Sequence, residues 1–301
     1  MDGKKKLLNF YYIHSHMNNI NSVAILTNSL SGKNKGIETA KWLSDQLTQK
    51  NIHHTIYTDQ WPSNAELHEF SDCWIIGGDG TINYFINLYP NCSLPLMLYN
   101  GGTGNDFAWK LYGGISNKAL YESISKRAIR HIDAGMVNEK LFINCLGIGF
   151  DGEIVASMKT IRFIGGHFGY LLAVIYKILF FKEPLLEIQN GEQIYNGRYL
   201  LALFVNSSRA GGGFFIAPTA KIDDGKLDMV LANKMPVWKR LMYLPIIKKG
   251  KHLHYPFITH KLGETFSINS NAILPIQMDG ELLYSKNVVI KVLHNKFLFR
   301  I

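Results

Sequence analysis

Within the first 130 residues, short apolar runs are each closed by a polar turn and followed by residues at helical spacing. VAILTN (23–28) runs into SLSGKNKG, after which Ile37, Ala40, Leu43 and Leu47 recur with a helical period. IHHTIY (52–57) is followed by Ser63 and Glu66, the spacing of a capping box that opens a short helix. CWII (73–76) runs into GGDGT and a helical stretch over 82–88, and PLMLY (95–99) into NGGTGND and a further helical run. This alternation implies an open α/β sheet with helices on its faces. In such sheets ligands bind beyond the carboxyl ends of the strands. The three glycine-bearing turns all lie at carboxyl ends and are expected to converge on one crevice.

The pattern changes near residue 132. IRHIDAGMV, a turn at VNEK, and LFINCLGIGF read as a hairpin. From Glu187 onward the runs are strand-like: LEIQN, GRYLLALFVNSS, KLDMVLA, ETFSIN, ILPIQMDGE and NVVIKVL. They predict a mostly antiparallel β domain, with one helix near 164–181 and a second near 236–250. The expected organisation is an extension over 1–20, an α/β domain over 21–132 and a β domain over 133–290.

A chain of 301 residues with 47% hydrophobic content buries a sizeable core, which excludes a wholly disordered or fibrous protein. Cys73, Cys92 and Cys145 have no paired spacing, so neither a disulfide framework nor a zinc motif is expected. The most apolar segment, 163–181, carries His167 and Lys177 and reads as a buried or surface-docking helix rather than a membrane span. A cytoplasmic protein is expected.

Three motifs carry chemistry. In GGDGT (Gly77, Gly78, Asp79, Gly80, Thr81), glycines permit a turn with positive φ and let a phosphate reach backbone N–H groups. The helix that follows, through Ile82 and Asn83, would point its N-terminus at that phosphate. GGTGNDFA (101–108) is a second turn of this kind, with Thr103 as hydroxyl donor and Asn105 and Asp106 as caps or substrate contacts. SGKNKG (31–36) adds Ser31, Lys33 and Lys35. A plain turn or a solvated loop would also account for each alone. Asp223, Asp224 and Asp228 form an acidic cluster of hard-cation type, and Glu281 follows an Asp-Gly turn.

GGDGT, GTGNDFA and SGKNKG, together with FINCLGIGFDGEIV, GGGFFIAPTAKIDDGKLDMV and MDGE downstream, resemble the soluble diacylglycerol kinase family of bacterial lipid kinases, related to sphingosine and ceramide kinases. The likeness covers roughly residues 22–290. GGDGT is shared with NAD kinases, but those follow it with an Asn-Glu pair where this chain has GTGNDFA. The resemblance implies an α/β nucleotide domain and a β-sandwich lipid domain, with the active site in the cleft between them and the chain end (291–301) often returning to the first domain. It implies ATP and Mg²⁺ as cofactors. Gly77 to Asn83 and Thr103 would contact ATP, and Thr58 would be a further, loosely aligned contact. Glu281 would be the proton acceptor, and Asp224 with the carbonyls of Lys221 and Lys226 a structural magnesium site; the Asp79 carboxylate, by its own chemistry, is a candidate to hold the catalytic metal or its waters. Two departures stand out: Ser29 and Leu30 replace the Pro usual after Asn28, and Trp109 and Lys110 stand where an arginine is common.

The formal charge of +9 divides unevenly, about +2 over residues 1–132 and +7 over the remainder. WKRLMYLPIIKKGKHLH (238–254) mixes basic and aromatic residues in the manner of an anionic membrane interface, although a packed amphipathic helix with a solvated basic face reads similarly. The expected partner is therefore a membrane lipid, met by peripheral contact at the inner membrane surface. No nucleic-acid motif is present, and a homodimer is compatible with the sequence. The leading reading is an ATP-dependent kinase acting on the primary hydroxyl of diacylglycerol or a related lipid alcohol. The alternatives are an NAD kinase-like enzyme and a catalytically silent nucleotide or lipid sensor.

Overall fold

The computed structural model describes residues 20–29, 35–102, 104–161 and 176–301. Ser31, Lys33, Thr103 and most of the helix expected over 164–181 lie outside the described residues. The chain divides into two compact units: residues 1–82, 91–132 and 297–301 in the first, 83–90 and 133–296 in the second.

The first unit is built on parallel strands β1 (Ser22–Thr27), β2 (His53–Thr58), β3 (Asp72–Gly77) and β4 (Pro95–Asn100). Their order is β2-β1-β3-β4, and residues 298–299 at the end of the last strand, β13 (Glu281–Arg300), add in parallel to β4. The intervening helices are α1 (Lys35–Gln49), α2 (Asn64–Leu67), α3 (Asp79–Leu88), α4 (Asp106–Tyr112) and α5 (Asn117–Glu122). Ala40, Leu43 and Leu47 are the buried stripe of α1, as their spacing predicts. The capping box of α2 is present: Glu66 N donates to Ser63 Oγ (3.2 Å), and Ser63 N to Glu66 Oε2 (2.7 Å). Val23 to Leu26 and Cys73 to Ile76 are fully buried and form the sheet's core. Arg300 and Asp72, both almost fully buried, form a two-pronged ion pair, with Nη2 donating to Oδ2 at 3.0 Å and Nε donating to Oδ1.

The second unit is antiparallel. It comprises most of β5 (Ile129–Val137), then β6 (Lys140–Phe142), β7 (Cys145–Gly149), α6 (Phe150–Ile161), β8 (Leu185–Asn190), β9 (Gln193–Val205), β10 (Leu227–Asn233), α7 (Val237–Lys248), β11 (Ile258–Gly263), β12 (Thr265–Met278) and β13. Strand order is β11-β10-β9-β7-β12-β13, with β8 pairing β9 and β12. Phe142, Leu146, Ile148, Phe204, Met229, Phe266 and Ile276 are among the side chains that fill its core, and Cys145 is buried.

Three expectations are revised. LFINCLGIGF is not one hairpin strand: β6 pairs with β5 for three residues, and β7 pairs instead with β9 and β12. The break falls where the N–H groups of Ile143 and Asn144 donate to the Asp279 carboxylate rather than to a neighbouring strand. Gly149, at φ 92°, ends β7 and admits α6, a helix that apolar periodicity did not reveal. ETFSIN and ILPIQM are one strand, β12, with its register shifted between Asn269 and Leu274.

Replacing Arg300 by Leu leaves Asp72 charged and buried, so a loss of about 3–5 kcal/mol is expected in urea unfolding. The Asp72→Leu/Arg300→Leu double replacement should cost less. A single-variant loss under about 1 kcal/mol would show that the pair does not hold the last strand in place.

Candidate functional site

The order β2-β1-β3 reverses the chain's direction of travel between β1 and β3, the position at which open α/β sheets bind ligands. A Cβ at Gly36 would lie 2.7 Å from Thr27 Oγ1 and 3.9 Å from the Ile76 carbonyl oxygen, so the start of α1 is seated on the ends of both strands. Thr58 ends β2 in register with Thr27 and is exposed.

Beside this point the turns after β3 and β4 interlock. Gly101 N donates to the Gly77 carbonyl (3.0 Å). A Cβ on Gly101 would stand 3.0 Å from Gly77 N, one on Gly102 2.6 Å from Gly78 Cα, and one on Gly78 3.1 Å from Gly102 Cα. None of these glycines has positive φ. The sequence assigns them conformational freedom, whereas the structure uses them for backbone-to-backbone approach.

Asp79 locks the two turns. Its Oδ2 accepts from Asp106 N (3.0 Å) and its Oδ1 from Phe107 N (2.9 Å). These are first-turn donors of α4, which a local side chain would ordinarily cap. Asn105, in the N-cap position with φ 50°, makes no cap bond; it turns back to Gly102, accepting from its N (3.1 Å) and donating to its O (2.8 Å). A Cβ at Gly104 would meet Asp79 Oδ2 at 2.9 Å. The residue expected to hold a metal thus serves as the cap of a helix 27 residues away. Gly80 differs from its neighbours: a Cβ there meets nothing within 4 Å.

Glu281 is exposed, directly after a two-residue hairpin turn at Asp279 (φ 49°) and Gly280 (φ 91°). Asp279 holds that turn from inside. Its carboxylate accepts from Ile143 N (2.6 Å), Asn144 N (3.0 Å), Cys145 N (2.9 Å) and Asn83 Nδ2 (3.3 Å). Burial pushes its carboxyl up to about 6 against the pull of these bonds. Asn83 also donates to the Leu141 carbonyl (3.2 Å), so this residue, expected at a phosphate, is buried among hairpin backbone.

Asp224 is exposed and accepts from Lys226 N (3.1 Å). The turn containing it is held by the fully buried Asp133, which accepts from Gly225 N (2.6 Å), His294 Nδ1 (2.8 Å) and Asn295 N (2.8 Å). The carboxylate of Asp224 and the carbonyls of Lys221 and Lys226 are hard oxygen donors on one exposed turn, a donor chemistry that suits Mg²⁺. No cluster of three His, Cys, Asp or Glu side chains suited to a metal occurs among the described residues.

The model for the diacylglycerol kinase catalytic domain matches residues 22–137, and that for the YegS C-terminal NAD kinase beta sandwich-like domain matches residues 144–297. The chain belongs to the diacylglycerol kinase and YegS-like lipid kinase family. A probable lipid kinase YegS-like of Shewanella frigidimarina is 32% identical over 231 residues, 72% of either chain. The diacylglycerol kinase of Bacillus subtilis is 26% identical over 72% of this chain and 73% of its own. A putative lipid kinase of Staphylococcus aureus is 24% identical over 95% and 93%. A crystal structure of a putative diacylglycerol kinase from Bacillus anthracis shares the fold, with TM-score 0.73 at 21% identity over 93% of this chain and 97% of that one. Membership places this chain among the lipid kinases.

One ionisable residue of this lipid kinase was missed. Asp151, in the first turn of α6 after β7, turns its carboxyl inward, where a Cβ on Gly147 would stand 2.2 Å from Oδ2. Burial pushes it up to about 6, opposed by a hydrogen bond from Gln277. A buried carboxyl perturbed in this way occurs in functional sites and in structural networks alike, and GFDG at the end of a strand is its only trace in the sequence.

Two outcomes test this geometry. Gly102→Ala should lower the unfolding midpoint sharply, since backbone must move, whereas Gly80→Ala should fold at least as stably as wild type. Because Asp151 in the folded protein binds its proton up to about pH 6 and in the unfolded chain only below about 4, stability should fall as pH rises from about 4 to 6 and then level. Asp151→Asn should flatten part of that slope in urea titrations at each pH. An unchanged slope would remove Asp151 from the account.

Proposed function

We propose that the chain is an ATP- and Mg²⁺-dependent kinase that transfers the γ-phosphate to the free primary hydroxyl of diacylglycerol or a related lipid alcohol. The observation that carries the nucleotide assignment is Gly80. Gly77, Gly78, Gly101, Gly102 and Gly104 are all required by close neighbours, with a Cβ meeting an atom at 3.1 Å or less, but Gly80 is not. It leaves the first turn of α3 bare on an exposed side, where a phosphate can approach backbone N–H groups and the positive end of the helix. Asp79 acts by holding the second turn against the first. Thr58, Thr103, Ser31 and Lys33 complete the nucleotide contacts.

Mg²⁺-bound ATP, when present, supplies the transferable phosphoryl group and neutralises its charge. The chain's own task is to orient the acceptor and take its proton. Glu281 is the general base: it is exposed, acceptor-only when ionised, and fixed by a hairpin whose turn is anchored through Asp279. The turn of Lys221, Asp224 and Lys226 holds a structural Mg²⁺. The enzyme works from the cytoplasm at the inner membrane surface; among the described residues, no helix is long and apolar enough to cross a membrane.

The test is transfer of label from γ-labelled ATP to diacylglycerol, sphingoid and other lipid alcohols in mixed micelles, with NAD in parallel. Labelled phospholipid is expected. Label in NAD alone would establish the NAD kinase-like alternative, and label in nothing would favour the silent sensor. Glu281→Gln should lower kcat by about 10²–10⁴-fold with unchanged unfolding, and Gly80→Ala should raise KM for ATP in a protein of undiminished stability. Wild-type turnover by Glu281→Gln would remove it as the base.

A further inference from the structure

α7 has no buried residue, although it is twelve residues long and mostly apolar. Trp238, Leu241 and Met242, at positions i, i+3 and i+4, are 60%, 48% and 47% exposed. The helical residues 176–180 repeat the arrangement: Tyr176, Leu179 and Phe180, with the same spacing, are 59%, 41% and 64% exposed. An ordinary surface helix turns its apolar stripe inward. These two make inward apolar contacts through Tyr243, on the Phe257 ring at 4.5 Å, and the buried Ile178, and present a further apolar triplet each to solvent.

The two segments are neighbours. Arg240 of α7 donates from Nη1 to the carbonyls of Ile178 (2.9 Å) and Phe181 (3.2 Å) and from Nη2 to Glu183 Oε1 (2.6 Å). Both members of the Arg240–Glu183 pair are buried. Lys177 pairs with Glu153 of α6 at 2.5 Å, and Ile178 is buried. Polar bonds therefore fasten the inner sides together and leave the apolar triplets outside.

Charge narrows the occupant. Residues 229–263 contain seven Lys and Arg and no Asp or Glu; Arg240 is paired with Glu183, which leaves six lysines. Lys239 lies over the Trp238 ring, 5.4 Å from its centroid. A second copy of this face would bring two basic surfaces together, so self-association is opposed by like charge. An anionic bilayer accepts both components: aromatic and aliphatic side chains in the headgroup region, lysines at the phosphates.

We infer that α7 and residues 176–180 form a single docking surface for an anionic lipid bilayer. This rests on the lipid kinase reading and adds the face by which the enzyme reaches its substrate. The test is flotation with vesicles of phosphatidylglycerol in phosphatidylcholine, against vesicles of phosphatidylcholine alone, without ATP. Wild-type protein should float with the anionic vesicles and be released by salt. Trp238→Ser/Phe180→Ser and Lys248→Glu/Lys249→Glu should each lower the partition coefficient by about tenfold or more, with unfolding transitions unchanged. Ile273→Ser, at a 63% exposed position on β12, should bind as wild type does. Wild-type flotation by both double variants would overturn the proposal. So would a dimer in sedimentation velocity that the Trp238→Ser/Phe180→Ser change dissociates, in a protein that binds no vesicles. Flotation without phosphorylation of any lipid would sink the kinase reading and leave docking standing. Phosphorylation of dispersed short-chain diacylglycerol without flotation would do the reverse.

Discussion

Two backbone N–H groups at the start of α4 have no partner within their own helix, and the Asp79 carboxylate supplies it from the first turn of α3. The seating of the two glycine turns on each other depends on that bond pair. It draws the turn after β4 onto the turn after β3 until the backbones touch, which removes room for a β-carbon at Gly78, Gly101 and Gly102, while the Thr81 and Asp79 side chains fill the space at Gly77 and Gly104. A buried donor left without an acceptor costs roughly 1–3 kcal/mol. Two part-buried donors met by one carboxylate tie the alignment of the turns to stability. The same alignment leaves Gly80 open.

The second unit uses the device twice more. Asp279 gathers three consecutive N–H groups where β6 gives way to β7, and Asp133 gathers two more backbone N–H groups and a histidine around the turn that carries Asp224. In each case a buried carboxylate lies behind an exposed one: Asp279 behind Glu281, Asp133 behind Asp224. The inner carboxylate fixes loop backbone, and the outer one is exposed to solvent. The exposed acid is the one that a motif names, and its placement belongs to the buried one.

This explains what was legible in the sequence. The α/β alternation, the stripe of α1, the capping box at Ser63 and the change to antiparallel β structure are local or short-period properties, and they were read from neighbouring residues. The two glycine turns are legible, but a single turn in isolation offers only positive φ or the approach of a phosphate as reasons for its glycines. The close approach that requires them involves residues about 24 positions apart. Nothing local marks Asp133, Asp151 or Asp279, since their partners stand up to 162 positions away. α6 was hidden because Gly149 permits an abrupt change from strand to helix inside one apolar stretch.

The last strand has a consequence for how the molecule is made. β13 begins at Glu281, and its final residues lie beside β4, with Arg300 closing on Asp72. During synthesis the first unit's other strands are complete some two hundred residues before residues 298–300 exist. Until then β4 presents an unpaired edge and Asp72 a buried charge without its counterion. A nascent chain that has not yet reached residue 298 therefore carries an adhesive sheet edge, which residues 298–300 cover.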